Sequence, residues 1–258
     1  MTVARFGAFL RGLLLLLCLA LFLTGCTGGK PATDPVTLKD PVPADSLKAI
    51  FSLTIHSLDG KSHDLDAVLF SVPNKRYRME LTGSLGIGVA SLLWLPERWQ
   101  MVFPTEKMFM EGAGYMVGLF NDPSLPLVHI HQVAGLFDGK VLPENLEVKS
   151  MRDSLGTDSV AVKIVEGRDA SGRDFTYAEK NGEVLWLESP GRDGCRERIV
   201  IEEYKEFVGV KTPSRIYFVR DTTTFLELRV RRVSRGKPFG TGTWRLNIPR
   251  AYQRIGGQ

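Results

Sequence analysis

From Leu47 onward apolar and polar side chains alternate at every second residue, and that period confines most of the chain to a sheet. Tyr77, Met79 and Leu81 alternate with Arg76, Arg78, Glu80 and Thr82, and Trp99, Met101 and Phe103 with Arg98 and Gln100. Leu226, Leu228 and Val230 alternate with Glu227, Arg229 and Arg231, and Trp244, Leu246 and Ile248 with Arg245 and Asn247. Successive side chains of a strand point to opposite faces, so each run predicts a strand with one buried and one wet face. Turn signals lie between them at Asp59-Gly60, Pro73-Asn74, Asn181-Gly182 and Arg235-Gly236-Lys237. The expectation is a mainly β body of about 10–11 strands with antiparallel spacing. Ile87 to Leu95 is apolar on both faces and so needs a cover besides the sheet.

The pattern breaks over residues 112–139. Asp122-Pro123 and Pro126 are turn or helix-start signals. Leu127, Ile130, Val133, Ala134, Leu136 and Phe137 then recur at three and four residues until Asp138-Gly139. That spacing predicts a short amphipathic helix, placed to cover the apolar face of a bent sheet. Beneath it the concave face is either filled by its own side chains or left open for an apolar ligand.

The N-terminus carries an export signal. Arg5 and Arg11 precede an apolar run from Leu13 to Leu23, too short for a membrane span of roughly 20 residues. Leu23-Thr24-Gly25-Cys26 looks like a bacterial lipobox, in which the cysteine is acylated and becomes the new N-terminus. Residues 1–25 are therefore expected to be removed and Cys26 to be lipidated, several acyl chains giving a firm anchor. Thr27, rather than Asp, follows the cysteine, which favours the outer membrane, with the domain facing the periplasm. Residues 26–44, with Gly28, Gly29, Pro31, Pro35, Pro41 and Pro43, read as a flexible tether to a single domain over 45–258. Loss of Arg5 and Arg11 lowers the net charge of +4, leaving 31 basic against 29 acidic residues. The basic residues form no run of five or six, so a nucleic-acid surface is not expected. Only Cys195 then remains beside the acylated cysteine, which leaves no internal disulfide to expect.

Candidate catalytic groups are sparse. His129 and His131 are two apart, which on a helix turns them away from each other, so they are expected as polar helix-face histidines and not as metal ligands. His56 and His63 flank the Asp59-Gly60 turn and are expected in solvent. There is no G-x-S-x-G nucleophile context, and Gly83-Ser84-Leu85-Gly86-Ile87-Gly88 lacks the Lys-Ser/Thr of a phosphate loop. Cys195 has cationic neighbours, but a turn cysteine without catalytic role is the simpler reading. No enzyme, cofactor or metal is expected. Leu85 lies in a glycine-flanked turn, where an exposed leucine asks for a membrane or an acyl chain; the alternative is that it folds back on the sheet edge.

The segment Lys75 to Gly86, with Arg76-Tyr77-Arg78 and then Thr82-Gly83-Ser84-Leu85-Gly86, resembles the strand–loop signature of the LolB family of outer-membrane lipoprotein receptors. Leu125-Pro126-Leu127, Ile130, Gln132 and the Gly135-Leu136 to Gly139 ending are similar to that family's covering helix. The wider group of lipid carriers, including the periplasmic carrier LolA, shares the architecture. The resemblance implies a strongly curved antiparallel half-barrel closed by short helices, with an apolar cavity for the acyl chains of lipoproteins. It implies a monomer that accepts lipoproteins from a LolA-like carrier and inserts them in the outer membrane, with Leu85 and Gly86 in the insertion loop. Tyr77, Met79, Leu81, Trp99, Met101, Phe103, Leu127, Ile130 and Val133 are the expected cavity lining. Met108, Met110 and Met116 would add pliable surface, or be ordinary core. This chain departs from the family in having Gly83-Ser84 before the leucine, and its strands beyond residue 145 match less well. An envelope lipoprotein of the same fold that binds another amphiphile, or has a non-catalytic structural role, is the alternative.

Overall fold

A computed structural model describes residues 46–57, 59–114, 118, 128–155, 160–191 and 194–256. They belong to one compact unit, Val42–Gln258. The expected signal peptide, Cys26, the tether, Met116 and Leu127 lie outside the described residues.

The alternation yields one mixed sheet of fourteen strands. A first meander comprises β1 (Leu47–His56), β2 (Ser62–Val72), β3 (Arg76–Thr82), β4 (Gly88–Leu95), β5 (Arg98–Phe103) and β6 (Met108–Gly112). Helix α1 (Ile130–Phe137) follows. A second meander comprises β7 (Glu147–Leu155), β8 (Ala161–Arg168), β9 (Asp174–Lys180), β10 (Glu183–Pro190), β11 (Arg196–Phe207), β12 (Val210–Arg220) and β13 (Thr223–Arg235). The halves join where β13 pairs antiparallel with β1, with Leu53 opposite Leu228. The short β14 (Gln253–Arg254) pairs parallel with β6, and β7 forms the other edge, so the curved sheet stays open. The strand number exceeds the 10–11 expected because turns such as Val208-Gly209, both at positive φ, carry no Asn, Asp or Pro signal. Asn181-Gly182 does carry one, and it makes the two-residue β9–β10 turn with both residues left-handed.

The inner face holds one continuous core. Phe51 and Leu53 of β1, Leu69 of β2, Met79 of β3, Leu92 and Trp94 of β4, and Ile216, Leu226 and Leu228 of β12–β13 pack into it together with α1. The outer face is wet over β12–β13 but not over β3–β5. There Leu93 and Val102 are buried although they alternate with the core-facing Leu92 and Met101. The cover is the C-terminal segment. Arg78, cross-strand neighbour of Leu93, donates through Nη1 to the carbonyls of Gly242, Thr243 and Arg245 at 2.8–3.0 Å. Arg76 lies over the Trp244 ring, and Phe239 meets Phe70 and Trp244 edge-on. Tyr252 donates to the Pro104 carbonyl. This strap supplies the second cover that an apolar β4 requires, and it corrects one expectation. Trp244 to Ile248 is not a strand: Thr241–Trp244 is a 3-10 turn and residues 245–249 are irregular. Their alternation comes from lying extended on the sheet, with a side-chain guanidinium where a ladder partner would be.

Candidate functional site

Helix α1 is positioned by its apolar stripe and by its C-terminus. Ile130, Val133, Leu136 and Phe137 are buried, and the Phe137 ring meets Phe51 at 4.7 Å. The helix ends in a Schellman turn: Lys140 N–H donates to Gly135 O and Gly139 N–H to Leu136 O. Gly139 has φ +79°, and a Cβ there would stand 3.1 Å from the Lys211 carbonyl. Arg235, at the end of β13, donates to the Phe137 carbonyl at 2.7 Å and pairs with Asp138. A guanidinium at a helix C-terminus complements the exposed carbonyls there, so this contact clamps α1 to the sheet.

The histidines correct a second expectation. His131 does not lie on a wet helix face; it is half-buried, its ring edge-on to Tyr77 at 4.6 Å and to Trp94 at 4.5 Å. Burial, and then the charge of His129, depress its pKa to about 4. The imidazole is therefore neutral near pH 7. Among the described residues no group of three His, Cys, Asp or Glu is placed to hold a metal ion. Cys195 sits half-buried in the turn before β11, its carbonyl accepting from Gly191 N–H. His56 lies at the β1–β2 turn, with Nδ1 2.9 Å from Ser62 Oγ, and His63 is exposed, as expected.

Beside α1 there is a cavity of about 490 Å³. Its apolar walls are Ala134 of the helix, Val141 and Leu142 just beyond it, and Phe175, Leu187, Ile199, Phe218 and Phe225 from β9–β13. Polar groups gather on its lining too: Arg173, whose Nη2 donates to Ser189 Oγ at 2.8 Å and stands 3.7 Å from Glu197, together with Asp138 and Lys140. About half of the lining residues are polar or charged, Glu144, Asp169 and Arg198 among them, so the chamber pairs an apolar wall with a polar one and suits an amphiphile.

Of the residues expected to line a cavity, Tyr77 does so. Met79, Leu81, Met101, Ile130 and Val133 are buried core instead, and Trp99 and Phe103 are partly buried against it. Over most of β1–β5 the concavity is filled by these side chains and by α1; the space lies between the β2–β3 turn, where Ser71, Asn74 and Tyr77 line it, and β9–β13. Large apolar residues such as Phe175, Leu187, Ile199 and Phe218 carried the signal in their alternation, but no local pattern tells which strands a helix leaves uncovered.

The β3–β4 loop is the second feature. Ser84–Gly86 forms a 3-10 turn in which Leu85 adopts φ +64° and ψ +16°. Gly83 N–H donates to Ile87 O at 2.8 Å and Gly86 N–H to Gly83 O at 3.2 Å, which fixes the loop. Leu85 does not fold back on the sheet: it is 97% exposed, followed by Ile87 at 57% and Val89 at 37%. The loop thus holds an exposed apolar tip on a hydrogen-bonded turn.

No protein-family model matches the chain, and no curated protein matches it. Solved structures do. A DUF1329 family protein from Desulfovibrio piger has a TM-score of 0.56 at 9% identity, covering 78% of this chain and 90% of its own. A LolA superfamily protein from Nitrosomonas europaea has a TM-score of 0.53 at 11% identity, covering 79% and 91%. A domain assigned as an outer membrane lipoprotein-sorting protein, from Vibrio parahaemolyticus, has a TM-score of 0.50 at 10% identity, covering 78% and 89%. The fold is thus of the LolA/LolB type, a mainly β curved open sheet with one helix among the described residues. Among those residues no helix is long and apolar enough to cross a membrane.

Proposed function

We propose that this chain is a lipid-anchored envelope protein that takes acyl chains of lipoproteins into the cavity beside α1 and delivers them to the outer membrane through the Leu85 loop. The observation that carries this reading is the roughly 490 Å³ chamber between a helix and the curved sheet, with an apolar wall from Phe175, Leu187, Ile199, Phe218 and Phe225 and a polar rim. Each methylene moved from water into an apolar site gains about 0.8 kcal/mol, and it gains as much in a bilayer, so transfer from chamber to membrane is not uphill. Leu85, Ile87 and Val89 supply the apolar tip that would enter the bilayer surface. In this reading Cys26 carries the anchor, residues 26–44 are the tether, and a LolA-like soluble carrier hands over the cargo. Arg173, Glu197 and Ser189 on the cavity lining favour a second reading, in which the chamber keeps a single small amphiphile.

The test is a strain in which Leu85→Glu is the sole copy. Outer-membrane lipoproteins are expected to accumulate away from their destination, with the protein itself still present and folded. Normal delivery by the mutant would overturn insertion through this loop and leave the second reading.

A further inference from the structure

Next to the Leu85 loop, on the outer face of the sheet, lies an open groove of about 980 Å³ whose chemistry the lipoprotein reading does not use. Its floor is made by the short hydroxyl side chains of Ser52 and Thr54 on β1. Asp64 and Asp66 of β2 stand on one side and Arg229 and Arg231 of β13 on the other, the ladders setting Ser52 opposite both Asp66 and Arg229. Gly83 to Gly86 closes one end, so the apolar tip and the charged groove share a boundary.

The charges are held in place. Arg231 pairs with Asp66, and Arg229 with Glu227, which the ladder sets opposite Thr54 on the same face. Each guanidinium has five donors, so one carboxylate leaves donors to spare for a second acceptor. Asp64 accepts from Thr54 Oγ1 at 2.6 Å, a hydroxyl and not a cation, and keeps a carboxylate oxygen for an incoming donor. The groove thus offers guanidinium donors and a carboxylate together, two of each sign lining it. A purely anionic headgroup would meet Asp64 and Asp66, and a purely cationic one would meet the arginines.

We infer that this groove docks the headgroup of a zwitterionic phospholipid bearing a primary ammonium, with the phosphodiester on Arg229 and Arg231 and the ammonium on Asp64. The inference rests on the Leu85 loop being a membrane contact and adds which lipid surface that contact selects. A primary ammonium donates three hydrogen bonds, whereas a quaternary one donates none, so phosphatidylethanolamine is favoured over phosphatidylcholine.

The experiment uses the full-length chain with Leu85→Trp, in nanodiscs of equimolar phosphatidylethanolamine and phosphatidylcholine. Bromine is placed on the acyl chains of one lipid or of the other, and the signal of the unsubstituted chain is subtracted. Quenching is expected to be roughly threefold stronger when phosphatidylethanolamine is brominated, the scale of an exposed charge pair. Adding Asp64→Asn should equalise the two while the melting temperature is unchanged. Equal quenching in the parent chain, or a preference that survives Asp64→Asn, overturns the headgroup assignment and leaves the membrane contact standing. Stronger quenching by brominated phosphatidylglycerol in a matched disc also overturns it. Absence of quenching in every disc removes the membrane contact and the headgroup site together.

Discussion

At the residue scale, His131 is a half-buried group held well away from its chemistry in water. Its pKa falls from 6.5 to about 4 because the site between Tyr77 and Trp94 disfavours the imidazolium, and His129 adds repulsion. The sign follows. With the folded value depressed, the unfolded chain binds the proton first, so stability is full above pH 6.5 and is lost as the pH falls towards 4. Urea unfolding at pH 7 and pH 5 should show a loss on the order of 1 kcal/mol, less than the full shift implies because solvent screens the half-buried ring, and His131→Phe should remove it. A second residue, Gly139, combines φ +79° with a close carbonyl, whereas Gly182 has φ +80° and nothing within 4 Å of its would-be Cβ. Gly139→Ala is expected to cost more than the ~1 kcal/mol of Gly182→Ala, read as a melting temperature a few degrees lower. The sequence placed Gly139 at a helix end, but it could not tell that the β11–β12 turn would press on it. It likewise gave His131 a helix position and not the aromatic pair that receives it, since both partners come from strands far away in the chain.

At the scale of elements, α1 was legible because its apolar residues keep a period that a strand cannot use. The C-terminal strap was not, because extended chain laid on a sheet alternates as a strand does. The difference lies in what satisfies the backbone: β-ladders for Leu226 to Val230, and the Arg78 guanidinium for Gly242, Thr243 and Arg245. Arg78→Ala should therefore raise amide exchange over residues 241–254 while leaving β11–β13 protected. Arg235→Ala acts on the other cover. It removes a donor from Phe137 O and leaves Asp138 with only Lys140, 4.0 Å away, at an expected cost of about 1–2 kcal/mol. Exchange in α1 should rise ahead of exchange in the strands, and equal acceleration everywhere would mean that α1 is not an independent lid.

For the whole molecule, the two meanders divide the work. The β1–β6 half, which carries the family-like signature strand, packs its concave side with α1 and presents Leu85 outside. The other half lines most of the chamber with β9–β13. That division explains why residues expected as lining on β3 and β5 are core, while the strands that do line the chamber were not singled out. Strand identity is local, whereas the space beside a helix depends on how far its eight residues reach across fourteen strands. The chamber is the centre of the account, and it can be closed from one side. Val141→Trp should fill it from the segment after α1 with the melting temperature within about 2 °C of the parent. The direct measurement is photolabelling of the full-length chain with a diazirine-bearing palmitate. The account predicts saturable adducts on Val141–Leu142 and on the peptides of Phe175, Ile199 and Phe218, lost in Val141→Trp. Adducts that do not saturate, or that persist unchanged in that variant, would contradict it.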